Sequence, residues 1–208
     1  MIKGILFDLD GVLVATQSLQ ISSTLKALKF YCKINNDIRS LVKQTITTQE
    51  KLQILADGKY LRKNDILKIY KLKKKFFNEK ISNKKLFSFK IYRLFKFLKK
   101  NKFKLALVTN GNKKTTKMIV KKLKLENFFD IIVTNNSKVK PKPNPMPYSF
   151  AIFKLKLRKE NCLILEDSPV GILSAQRSGA RYYKVNDIKS INLTNIKRLI
   201  KKYSNVTN

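Results

Sequence analysis

Gly4-Ile5-Leu6-Phe7-Asp8-Leu9-Asp10-Gly11-Val12 stands near the start of the chain. A short run of strand length ends in two carboxylates one residue apart, followed by a glycine. The run is continuously apolar and does not alternate. That is the pattern of a strand buried on both faces, and such strands belong to parallel sheets covered by helices. The same form recurs at Leu105-Ala106-Leu107-Val108, Ile131-Ile132-Val133 and Cys162-Leu163-Ile164-Leu165, with Arg181-Tyr182-Tyr183-Lys184-Val185 as a fifth candidate.

Helical signals fill the intervals. Ser168 before Pro169 reads as an N-cap and a first-turn proline, and Gly179 as the matching stop. Asn144 with Pro145 repeats the start signal. Met118, Leu123 and Leu125 suit a helix after Gly111, and Phe89 to Leu98 has helical spacing. Between about Ala15 and Leu86 no strand is evident, only helical patterns such as Ile21, Leu25, Leu28 and Ile66, Ile69, Tyr70. That interval is too long for one crossover and is read as an inserted helical subdomain. The expected fold is therefore α/β: a Rossmann-like parallel sheet over residues 1–14 and 87–208, interrupted by a helical insertion over 15–86.

In open parallel sheets, functional groups gather beyond the carboxyl ends of the strands. Those places hold Asp8 and Asp10, then Thr109, Asn110 and Gly111, then Lys140, then Glu166, Asp167 and Ser168. Carboxylates from two strand ends suit a hard cation with oxygen ligands, and magnesium fits best. A chain of 208 residues with no histidine and two cysteines, Cys32 and Cys162, is a poor zinc binder. Asp8 can attack phosphorus once a cation offsets the repulsion between two anions, and Asp10 can act as acid and then base. Thr109 and Lys140 offer a hydroxyl donor and a fixed charge for phosphoryl oxygens. Each motif alone is an ordinary turn or helix start; their succession, each after a strand, carries the expectation.

Composition adds one oddity. The 46 Lys and Arg against 13 Asp and Glu give a net charge of +33. The basic residues are spread through the chain among Ile, Leu and Asn, which reads as compositional drift, with no nucleic-acid motif beside it. Nucleic acid is accordingly not expected as a partner, although a basic nucleic-acid-binding protein on the same core is the rival reading from another class. Hydrophobic content of 43% is enough for a core. No apolar stretch is long enough to span a bilayer and no signal peptide is evident, so no membrane partner and a cytoplasmic location are expected. Oligomeric state is left open.

The motifs together resemble the haloacid dehalogenase superfamily, in its β-phosphoglucomutase and phosphoglycolate-phosphatase-like branch. Asp8-Leu9-Asp10-Gly11-Val12, Val108-Thr109-Asn110-Gly111, Val139-Lys140-Pro141-Lys142-Pro143-Asn144-Pro145 and Leu165-Glu166-Asp167-Ser168-Pro169 match its four motifs in order. The resemblance implies that Asp8 is the nucleophile and Asp10 the acid/base, the latter also binding metal through its main-chain carbonyl. It implies that Thr109, Asn110 and Lys140 bind phosphate, and that Asp8, Asp10, Glu166 and Asp167 hold Mg2+. The insertion resembles the family's substrate-selecting cap, whose specificity loop corresponds to Thr45 to Lys51; Thr47, Thr48 and Lys51 are candidates there, or simply an exposed helix start. The presence of Asp10 argues for phosphate esters over carbon–halogen or carbon–phosphorus bonds. The mutases of this branch use a histidine in the cap. The expected activity is thus a magnesium-dependent phosphatase acting on a small phosphorylated metabolite, with a sugar phosphomutase as the alternative. Ala15 departs from the acidic residue that relatives often carry there.

Overall fold

A computed structural model describes residues 1–44 and 46–204. The chain divides into two compact units, Met1–Ala15 together with the chain from Lys85 onward, and Thr16–Lys84.

The first unit is built on five parallel strands: β1 (Gly4–Phe7), β2 (Lys104–Val108), β3 (Ile131–Val133), β4 (Cys162–Glu166) and β5 (Arg181–Lys184). Their order across the sheet is β3-β2-β1-β4-β5. β1 is central, pairing Phe7 with Leu107 on one side and with Leu165 on the other. Every residue of β1 and β4 is buried, as the continuous apolar runs require. The expected α/β parallel sheet is what forms. From β1 the chain moves outward through β2 and β3, then returns to the other side of β1 for β4 and β5. The β1–β4 junction is therefore the switch point, where crevices open beyond the strand ends.

Helices cover both sides of this sheet. The right-handed rule for crossovers between parallel strands, applied to this strand order, assigns α5 (Phe89–Lys100) and α6 (Lys113–Leu123) to one face and α7 (Met146–Lys154) and α8 (Pro169–Ser178) to the other. Side-chain parity agrees. Leu6, Ala106, Val108 and Ile164 share a buried cluster with Tyr148, Ala151 and Ile152 of α7 and Ala175 of α8. Phe7, of opposite parity, meets Phe95 of α5 with ring centroids 5.0 Å apart. The last helix, α9 (Leu193–Ser204), packs on α5.

The helix ends follow local chemistry. Ser168 Oγ accepts from Gly171 N at 3.1 Å, Pro169 opens α8, and Gly179 closes it at φ 72°. α7 starts later than Asn144-Pro145 suggested: its first residue is Met146, whose N–H donates to Asn144 Oδ1 at 3.0 Å. Leu125 lies outside α6; it is buried, but the chain has already turned left-handed at Lys124 (φ 57°). Among the described residues, every non-glycine with positive φ is a lysine: Lys59, Lys102, Lys124, Lys138 and Lys156. Those conformations favour glycine, and the chain has only six glycines.

The second unit contains α1 (Gln17–Leu28), α2 (Asn36–Lys43), α3 (Thr48–Asp57) and α4 (Ile66–Ser82), with no strand among the described residues. Ala27, Leu28, Ile38, Leu52, Leu55 and Ile69 form its own core. Lys73 of α4 is buried against α1, where its ammonium donates to Gln20 Oε1. No helix among the described residues is long and apolar enough to cross a membrane.

Candidate active site

Asp8 follows β1 directly, and its N–H donates to Leu165 O of β4 at 3.0 Å, which fixes it at the switch point. Beyond it the chain makes a tight turn: Val14 N donates to Leu9 O and Gly11 N to Val14 O at 2.8 Å. Gly11 has φ 83°, and a Cβ there would fall inside the Asp167 carboxylate. The glycine thus serves backbone geometry and close approach together.

Glu166, the last residue of β4, is fully buried and hydrogen-bonded on both oxygens. Its Oε1 accepts from Lys142 Nζ at 2.5 Å and from Tyr148 OH at 2.8 Å. Its Oε2 accepts from Asp167 N, Ser168 N and Ser168 Oγ at 3.0, 3.3 and 3.2 Å. The carboxylate sits so close under α8 that a Cβ at Gly171 would overlap it.

The lysine of the site is Lys142. The expected residue, Lys140, is exposed, whereas Lys142 is buried and its Nζ donates to Asp8 Oδ1 at 2.7 Å, to Val108 O at 2.8 Å and to Glu166. The placement expected for Lys140 is therefore corrected. Lys140-Pro141-Lys142-Pro143 and Lys142-Pro143-Asn144-Pro145 both read Lys-Pro-x-Pro, so sequence pattern alone does not separate them. What separates them is Asn110. Its Oδ1 accepts from Lys142 N at 3.0 Å and its Nδ2 donates to Lys142 O at 3.1 Å, clamping the main chain of that lysine against the end of β2. Asn110, expected to touch phosphate, has its side chain turned to this clamp.

Tyr148, which sequence reasoning missed, lies on α7 with its ring centroid 4.7 Å from Lys142 Nζ. A fully buried tyrosine on an apolar helix face needs a partner for its hydroxyl, and that requirement is the signal that was available. Thr109 is buried, and its Oγ accepts from Gly111 N at 3.0 Å, which leaves its own hydrogen free to be donated.

The electrostatics are unbalanced. Asp8, Glu166 and Asp167 each place a carboxylate oxygen within 4.8 Å of the others, and among the described residues only the Lys142 ammonium pairs with them. Burial raises the Asp8 pKa well above the usual carboxylate range, and Glu166 and Asp10 add to this while Lys142 opposes it. Burial would strip Lys142 of its proton, but Asp8 and Glu166 outweigh it and hold its pKa above the ordinary lysine value. Burial, then Glu166, pushes Asp167 up to about 6. Asp167 Oδ1 is buried and has no hydrogen-bond partner among the described residues. An orphaned carboxylate oxygen beside two further acids is what a hard divalent cation would satisfy, so the residues fit a metal. Asp10 is half-buried and lies outside that tight group of three. Of the candidates in the insertion, Thr47 caps α3 in a reciprocal box with Glu50, and Lys51 Nζ donates to Val42 O at 2.7 Å. Thr48 is the first residue of α3, and Thr45 lies outside the described residues.

Residues 5–185 match the model of the haloacid dehalogenase-like hydrolases. The chain is 25% identical over 198 residues to a phosphorylated carbohydrates phosphatase of Thermotoga maritima, covering 91% of this chain and 89% of that protein. It is 28% identical over 190 residues to pyrophosphatase PpaX of Bacillus mycoides, covering 89% and 84%. A β-phosphoglucomutase from Clostridium difficile superposes with a TM-score of 0.76 at 21% identity, covering 98% of this chain and 99% of that one. With the family model spanning both strand-end acid motifs and the lysine between them, the chain belongs to the haloacid dehalogenase-like hydrolase family.

Proposed function

We propose that this enzyme is a magnesium-dependent phosphatase that hydrolyses a small phosphomonoester, such as a sugar phosphate, through an aspartyl phosphate on Asp8. The observation that carries the reading is the convergence of Asp8, Lys142 and the orphaned Asp167 carboxylate at the switch point of the sheet. The phosphatase relative of Thermotoga, aligned over most of both chains, supports a phosphorylated carbohydrate as the substrate class.

Asp8 and Asp167 would hold Mg2+, with the main-chain carbonyl of Asp10 completing the protein's share. When bound, the cation neutralises the excess carboxylate charge and polarises the transferring phosphoryl group. Glu166, already saturated with donors, is a poor direct ligand and acts as the fixed anion that positions Lys142. An Asp8 oxygen attacks phosphorus as the bond to the leaving oxygen breaks, and protonated Asp10 gives its proton to that oxygen. Water then attacks the aspartyl phosphate, losing its proton to Asp10, and the Asp8 oxygen–phosphorus bond breaks. Lys142 and the Thr109 hydroxyl offset the charge on the phosphoryl oxygens, the largest contribution in reactions of this class. Asn110 acts through its clamp on Lys142.

The test is Asp8→Asn, assayed by phosphate release from an aryl phosphate and from hexose phosphates, with magnesium and after chelation. The expected result is loss of turnover in the variant and in the chelated wild type. Turnover near normal in Asp8→Asn would refute the nucleophile. Isomerised sugar phosphate in place of free phosphate would convert the reading to a mutase.

A further inference from the structure

Charge in the first unit is divided between the two faces of the sheet. On one face α5, α6 and α9 carry fourteen Lys and Arg and no Asp or Glu. On the other, α7 and α8 carry only Lys154 and Arg177 and expose Met146, Phe153 and Leu173. Compositional drift towards lysine explains basic residues in general, including those at left-handed helix ends. It acts without regard to which face of a sheet a codon serves, so it does not explain this division.

The basic face also has shape. A cavity of about 730 Å³ opens along α5, lined by Arg93, Lys96, Phe97, Lys99, Lys100 and Phe128. Lys197 of α9 stands 4.5 Å from the Phe97 ring centroid, joining the two helices into one cationic strip. Lys99 is tied to Asp130 at 3.0 Å; Glu126 and Asp130 follow α6 in the chain. An open depression with cations along it and two phenyl rings in its lining suits a flexible chain of phosphates carrying flat bases. A bilayer surface supplies phosphates but no bases for the two rings.

We propose that the α5–α6–α9 face binds single-stranded polynucleotide, with backbone phosphates on Arg93, Lys96, Lys100 and Lys197 and bases against Phe97 and Phe128. This is separate from the phosphatase site and stands or falls without it. Binding would be driven by counterion release, with log Kd depending linearly on log salt and each phosphate contact adding about 0.7 to the slope.

The experiment titrates a fluorescent 20-nucleotide oligomer, as RNA and as DNA, at several salt concentrations. Three proteins are compared: wild type, the face variant Arg93→Gln/Lys96→Gln/Lys100→Gln/Lys197→Gln, and the control Lys33→Gln/Lys43→Gln/Lys71→Gln/Lys75→Gln. The two variants lose the same charge, the control from exposed positions of the second unit. The proposal expects the face variant to weaken binding at least tenfold and to flatten the salt slope by about 3, with the control close to wild type. A photoreactive oligomer on the wild-type protein should cross-link to α5 or α9, a result independent of how the variants fold. Equal loss in both variants would show net charge alone and overturn the proposal. So would cross-links on α7, α8 or the second unit, no binding at physiological salt, or binding to phosphatidylserine vesicles but not to oligomer.

Discussion

Replacing Lys142 by methionine removes one ammonium from beneath Asp8 and Glu166 while keeping most of the volume of its stem. Both carboxylates then stay buried without their counter-charge, at positions where the lysine and glutamate side chains are 3% and 0% exposed. Removing one partner of a buried pair costs about 3–5 kcal/mol, a large part of a typical stability of about 5–15 kcal/mol. In the proposed mechanism the same substitution also withdraws the fixed charge facing the phosphoryl oxygens, for which about a 10²–10³-fold loss of kcat is expected. Lys140→Met, on an exposed loop residue two positions away, should change stability by no more than about 0.5 kcal/mol and leave kcat unchanged. Urea unfolding and steady-state phosphate release, run on both variants, measure the two effects separately. Lys142→Arg keeps the charge but misfits the pocket, so it should recover more stability than activity. A Lys140 variant that loses activity beside a Lys142 variant that keeps it would refute the assignment of the site lysine.

Four further outcomes follow from other parts of the structure. Gly171→Ala places a Cβ inside the Glu166 carboxylate, so kcat and thermal stability should both fall, whereas an alanine at the exposed Gly58 should be tolerated far better. Lys124→Gly relieves a left-handed lysine at the end of α6 and should stabilise by about 1 kcal/mol in thermal unfolding. Burial raises the Asp130 pKa, but the Leu105 N–H and the Lys99 ammonium outweigh it and leave the group below its ordinary value. Its stabilising effect is then present above the unfolded pKa of about 4 and lost as pH falls through the folded value. Asp130→Asn should therefore be less stable than wild type at pH 7, the difference closing towards pH 3 in parallel urea titrations. Thr47→Ala removes the capping box of α3 and should cost about 1 kcal/mol; a fall in kcat/KM with unchanged stability would instead make Thr47 a substrate contact.

The strands and acids were legible in the sequence because burial on both faces leaves a continuous apolar run, and the polar residue that ends each run marks the carboxyl edge of the sheet. Three things were not legible, each for the same reason: they depend on which face a side chain takes. Cys162, Ile164 and Glu166 share one parity along β4, so Glu166 turns towards α7, where Tyr148 and Lys142 meet it. Asp167, one residue on, escapes those donors and keeps an orphaned oxygen. Two adjacent acids that look equivalent in sequence are thereby divided, one holding the lysine and one left with an unpartnered oxygen. Parity also bears on the choice between lysines. An ammonium serving Asp8 and Glu166 must come from the loop as it enters α7, under that same face. Lys142 lies four residues before Met146 and is clamped there by Asn110, whereas Lys140 lies two residues further from the helix, on the exposed part of the loop. The basic face obeys the same logic: its lysines are scattered along the chain, and only the handedness of the crossovers gathers α5 and α6 on the side where α9 returns.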